Sequence, residues 1–129
     1  MWEYSEKTKE YYRNPKNAGI MEDADAIGYA GSLACGDAIT LFLKIKDNKV
    51  SKATFLAYGC GSAVASASIL TEMVIGKNIE ELEKITNKDI IDALNGLPAE
   101  KIHCSVMCKE VLDYALNEYK TQKINKESV

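Results

Sequence analysis

The chain has 129 residues, with 16 lysines and arginines against 19 aspartates and glutamates, a net charge of −3 and 47% hydrophobic residues. This suits one domain with a real core, 1–129, ending in a polar tail from about residue 123. The acidic balance and the even spread of lysines exclude the concentrated basic face of a nucleic-acid binder.

Residues Ser5 to Asn14 are helix-compatible and stop at Pro15, where Asn14 to Gly19 forms a breaker cluster followed by the acidic loop Glu22 to Asp25. Ile27 to Leu33 reads as a weak strand. From Asp37 to Lys46, Ile39, Leu41, Leu43 and Ile45 alternate with Thr40, Phe42, Lys44 and Lys46, the period of a half-buried strand. Asp47-Asn48 marks a tight hairpin turn, and Lys49 to Tyr58 returns as a third strand. After Gly61 the pattern turns helical: Ser62 to Ile75, with Gly76 as C-cap, then short helices over Ile79 to Ile85 and Lys88 to Leu94, the second capped by Asn87 or Thr86. Gly96-Leu97-Pro98 interrupts the chain. A last helix is expected from Ser105 to Tyr119, with Val111, Leu112, Ala115 and Tyr119 on one face. Strands first and helices later indicate an α+β fold, a three-stranded antiparallel sheet with helices packed on one face.

No apolar run nears the roughly 20 residues of a membrane span. The charged, aromatic opening Met1 to Arg13 is not an export signal, so a reducing cytoplasm is expected. There, four cysteines serve metal binding or catalysis better than disulfides. No Cys-x-x-Cys pair exists, so any metal site must be assembled from distant segments. Three cysteines have suggestive neighbours: Cys35-Gly36-Asp37, Gly59-Cys60-Gly61-Ser62 and His103-Cys104-Ser105. Cys35 and Asp37 pair a soft with a hard ligand across a turn-forming glycine; equally, Cys35 is a small buried hydrophobe and Asp37 a turn residue. Cys60 falls where a strand ends and a helix begins, a place that stabilises a thiolate. Gly59 and Gly61 permit backbone close to a bound group or simply shape the strand-to-helix turn; Gly59-x-Gly61 is also half of a dinucleotide fingerprint, but Val64 fills its third position. His103 is the chain's single histidine, and its place beside Cys104 favours a metal or proton role over a solvated or core imidazole. Cys108, four residues after Cys104, shares the expected core face, which argues for burial, with a substitute ligand or resolving thiol as the alternative.

Asn14-Pro15-Lys16-Asn17, Ala34-Cys35-Gly36-Asp37, Tyr58-Gly59-Cys60-Gly61-Ser62-Ala63 and Lys101-Ile102-His103-Cys104-Ser105 stand in the order typical of iron–sulfur cluster assembly scaffolds, and from about Tyr4 to Lys120 the chain resembles the IscU/NifU N-terminal-domain family. The resemblance implies an IscU/SufE-like fold and a scaffold, not a turnover enzyme. Such a scaffold receives sulfur from an IscS/NifS-like cysteine desulfurase, builds a transient [2Fe–2S] or [4Fe–4S] cluster from iron, and hands it to apo-protein acceptors. It implies Cys35, Asp37, Cys60 and Cys104 as cluster ligands, His103 as an alternative ligand, Cys104 as persulfide acceptor and Asp37 as the residue of cluster lability. Lys101 matches a basic position suited to anionic sulfur; the other reading is an ordinary solvated lysine. Nothing transfers onto Cys108. Leu97-Pro98-Ala99-Glu100-Lys101 overlaps a segment that engages an Hsp70-type chaperone in the family, but Ala99 and Glu100 replace the usual proline and valine, which weakens that expectation.

Two rivals share these residues. A zinc-dependent sulfur acceptor similar to the SufU branch would hold Zn2+ in the same ligands, yet that branch usually carries an insertion for which Cys60 to Cys104 is short. An electron-transfer protein would keep its cluster with four cysteines, against which Asp37 argues.

Overall fold

The computed structural model describes residues 4–32 and 36–127; Cys35 and the end of the expected first strand, Leu33, lie outside the described residues. Helix α1 (Glu6–Arg13) starts at Ser5, whose side chain accepts from the Thr8 N–H and whose hydroxyl donates to the Leu94 carbonyl at 2.5 Å. Strands β1 (Ala26–Ser32), β2 (Asp37–Lys46) and β3 (Lys49–Tyr58) form an antiparallel sheet in the order β1-β2-β3. Asp47 and Asn48 turn the β2–β3 hairpin with positive φ at both positions, the tight turn whose twist matches paired strands.

Alternation puts Ala26, Gly28 and Ala30 beside Leu43, Leu41 and Ile39, and those beside Ala53, Phe55 and Ala57, on one face. The helices cover that face. Helix α2 (Gly61–Val74) lies on β3 and against α1, and helix α5 (Ile102–Glu127) crosses β1 and β2. Between them run the single turn α3 (Ile79–Leu82), α4 (Asn87–Ala93) and a 3-10 turn at Ala99–Lys101. Leu70, Val74, Leu82, Ile90, Leu94, Cys108, Val111 and Leu112 join the inner face of the sheet in one core. Tyr11 ties α1 to α2 through a hydrogen bond to Glu72, which pushes its hydroxyl pKa up to about 12.

The expected architecture stands, with shifted ends. The Ile79 to Ile85 helix is cut to α3 because Thr86 must be extended (φ −112°, ψ 165°) to cap α4 in a reciprocal box with Asp89, which also decides the cap in favour of Thr86. Ile75 is the C-cap of α2 and Gly76, at φ +88°, follows it. Helix α5 is longer than Ser105 to Tyr119 at both ends: the turn after Pro98 feeds straight into it, and no breaker interrupts the lysine- and glutamine-containing stretch that carries it to Glu127. His103 and Cys104 therefore sit inside its first turn.

Gly28 lets α5 come this close to β1. A β-carbon on Gly28 would lie 2.1 Å from the Val111 carbonyl oxygen and 3.0 Å from the Ala115 β-carbon. Both obstacles belong to a packed helix that cannot rotate away. Gly28→Ala is expected to cost about 3 kcal/mol, an overpacking penalty at the upper end of its range, lowering the melting temperature by roughly 10 °C. Thermal and denaturant unfolding measure this; an unchanged midpoint would mean the helix shifts freely.

Candidate metal site

Strand β2 begins with Asp37, in phase with Ile39, Leu41 and Leu43, so its side chain points to the helix side of the sheet. There, at the sheet's end, the starts of α2 and α5 converge. Asp37 is only 4% exposed. Its Oδ1 accepts from the Cys60 backbone N–H at 3.0 Å, and its Oδ2 lies 2.9 Å from His103 Nε2. Cys60 is the N-cap of α2, with an extended backbone and a side chain that makes no capping bond. Cys104 Sγ stands 3.6 Å from His103 Nε2 and 3.8 Å from Cys60 Sγ.

Gly59 makes room for the carboxylate. Its φ is +126°, and a β-carbon there would fall 1.8 Å from Asp37 Oδ1 and 2.7 Å from its Cγ. Gly59→Ala is thus expected to push Asp37 off the Cys60 N–H that positions it and out of the ligand cluster, weakening metal binding roughly 10–100-fold, the range for a lost supporting contact. Zinc titration of the folded variant tests it; wild-type affinity would mean that Asp37 is not needed where it stands.

The donor set suits a metal ion. Ligand atoms of Asp37, His103 and Cys104 all lie within 4.8 Å of one another. Tetrahedral zinc, with metal–sulfur bonds near 2.3 Å and metal–nitrogen bonds near 2.0 Å, requires sulfur–sulfur edges of about 3.8 Å and sulfur–nitrogen edges of about 3.6 Å. Cys60–Cys104 and Cys104–His103 already have those spacings. The His103–Asp37 edge, at hydrogen-bond length, is shorter than the roughly 3.3 Å two such ligands would need. Two helix N-termini add positive dipole ends facing the thiols. At Cys104 burial wins over them: the residue is 0% exposed, and desolvation, with the Cys60 sulfur and the Asp37 carboxylate adding to it, raises its thiol pKa far above the ordinary 9.0. Lys101 stands within electrostatic reach. Burial opposes its charge, but Cys60, Tyr4, Cys104 and Asp37 outweigh this and raise its pKa.

A family model described as the NifU-like N terminal domain matches residues 3–126. The chain belongs to that family. The nitrogen fixation protein NifU of Azotobacter chroococcum mcd 1 is 50% identical over 126 residues, 96% of this chain but 41% of the relative, so the chain spans about two fifths of that protein. The iron-sulfur cluster assembly scaffold protein IscU 1 of Archaeoglobus fulgidus is 43% identical over 125 residues, covering 95% of this chain and 82% of the relative. Among solved structures, the SUF-system chain FiSufU from Fervidobacterium islandicum AW-1 superimposes with a TM-score of 0.74 at 25% identity, over 88% of this chain and 96% of that one.

In this NifU-like domain four of the residues singled out from the sequence meet: Asp37, Cys60, His103 and Cys104. Cys35 lies outside the described residues, and among these no helix is long and apolar enough to cross a membrane. The sequence reading missed two supports, Gly59 under the carboxylate and the complete burial of Cys104. The alternation that starts at Asp37 could have placed its side chain on the core side.

Cys108 is fully buried among Val111, Leu112 and the sheet, and burial raises its thiol pKa far above 9.0. The unfolded chain ionises this thiol near pH 9 and the folded protein does not, so its contribution is intact below pH 9 and drains away above it. Each such thiol is expected to lower stability by about 1.4 kcal/mol per pH unit in that window. Denaturant midpoints between pH 8 and 10 should fall less steeply in Cys108→Ala than in the wild type; parallel slopes would place Cys108 in contact with water.

Proposed function

We propose that the chain is an iron–sulfur cluster assembly scaffold, which takes sulfur from a cysteine desulfurase, assembles a transient cluster and passes it to apo-proteins. The observation that carries this reading is the meeting of Asp37, Cys60, His103 and Cys104 at the helix-covered end of the sheet, in a chain similar to proteins named as such scaffolds. Cys60 and Cys104, with Cys35, supply the thiolates; Asp37 or His103 supplies the harder, exchangeable ligand. Three thiolates and one weaker ligand hold iron firmly enough to build a cluster and loosely enough to give it up. Cys104 holds the incoming sulfur as a persulfide, with Lys101 as a nearby cation for anionic sulfur. The cluster is cargo, and the protein acts as a platform without turnover chemistry of its own. A cytoplasmic location, where thiols stay reduced, suits this work.

The test is anaerobic reconstitution with iron, cysteine and a desulfurase, followed by absorption and Mössbauer spectra and by timed transfer to an apo-ferredoxin. A cluster that forms and moves to the acceptor is the expected result. Zinc answers to the same donor spacing, so zinc-dependent sulfur acceptance is the second reading. Persulfide formation without any transferable cluster would decide in its favour.

A further inference from the structure

We propose that Cys60 is the thiol at which sulfur enters this site and Cys104 the thiol that keeps it, the two being joined by direct sulfur exchange. The inference rests on the reading of the site as a sulfur acceptor. Its ground is an asymmetry between two touching thiols. Cys104 is 0% exposed in the first turn of α5, with His103 Nε2 and Cys60 Sγ against its sulfur. Cys60 is half-buried at the α2 N-cap, and capping does not occupy its side chain. A donor persulfide arriving from outside must reach the attacking sulfur, and of the two thiols only Cys60 is partly open to solvent.

The step balances without an added reductant. The donor first leaves its terminal sulfur on Cys60, giving Cys60–Sγ–Sδ–H and a donor thiol. A sulfur–sulfur bond is about 2.05 Å long, so in-line transfer needs the two Sγ atoms, 3.8 Å apart in the resting site, to part as the half-buried Cys60 side chain turns and brings Sδ between them. Attack by Cys104 Sγ on Sδ forms the Cys104 Sγ–Sδ bond and breaks the Cys60 Sγ–Sδ bond. The electron pair of the broken bond stays on Cys60 Sγ, which takes up the proton given up by Cys104. One sulfane sulfur has moved inward, and Cys60 is again a free thiol.

The experiment exposes the reduced protein briefly and anaerobically to cysteine persulfide, removes the excess, quenches aliquots by alkylation and maps one added sulfur atom onto each of the four cysteine peptides by mass spectrometry. In the wild type the label is expected on Cys60 first and on Cys104 later. In Cys104→Ala it should remain on Cys60, and in Cys60→Ala labelling of Cys104 should slow by about 10-fold or more, as for a thiol cut off from its donor. Labelling of Cys104 at the wild-type rate without Cys60, or first appearance of the label on Cys35, overturns the relay while leaving sulfur acceptance standing. A wild type that takes up sulfur on no cysteine removes the acceptor reading itself. The wild-type time course needs no variant, so a substitution that impairs folding does not blunt the test.

Discussion

Cys60→Ser and Cys104→Ser are each expected to cut the yield of reconstituted cluster by about two orders of magnitude, because a hydroxyl is a far poorer ligand than a thiolate for iron in a sulfur-rich site. Cys60 and Cys104 Sγ are 3.8 Å apart and no third described thiol replaces either: Cys108, one helical turn beyond Cys104, is committed to the core. Cys108→Ser supplies the contrast. It places a hydroxyl among Val111, Leu112 and the sheet, so it should lose stability, on the order of 1 to 3 kcal/mol, while retaining cluster assembly. Iron and sulfide content with visible absorption decides for each variant. A Cys108→Ser protein that folds but binds no cluster, beside a Cys60→Ser protein that does, would overturn the ligand assignment.

Asp37→Ala is expected to act in the opposite direction, giving a cluster that survives isolation several-fold longer and reaches an apo-acceptor correspondingly more slowly. A carboxylate is a hard, exchangeable partner for cluster iron and gives water and acceptor ligands a way in. The substitution also leaves the Cys60 backbone N–H without its acceptor, at a cost of about 1 to 3 kcal/mol in stability. Folding is therefore checked by circular dichroism before lifetimes are compared. A well-folded Asp37→Ala protein with a shorter-lived cluster would make Asp37 a plain stabilising ligand.

Much of the fold could be read from local pattern. The alternation from Ile39 to Ile45, the Asp47-Asn48 turn and the apolar run after Gly61 each follow from one element's own period, and the structure carries all three. The ends of elements depended on neighbours. Thr86 shortens the helix before it by claiming its own cap, and the turn after Pro98 extends α5 backward over His103. The site was legible as a set of residue types around cysteines, but not as geometry. That Gly59 bears on Asp37, 22 positions earlier, depends on β2 and β3 pairing so that Ala38 faces Tyr58. The burial of Cys104 depends on how α5 lies across the sheet. Both are products of tertiary packing.

The 2.9 Å contact between His103 and Asp37 ties two of the candidate metal ligands to each other. A metal that takes both groups as ligands must first part them, and the bond re-forms when the metal leaves. With a net worth of about 1 to 3 kcal/mol, such a bond lowers affinity by roughly one to two orders of magnitude. In the proposed scaffold role, the protein would contribute part of the work of unloading before any recipient arrives. Holding on and letting go are set by the same pair of side chains, and tuning that one contact would retune both.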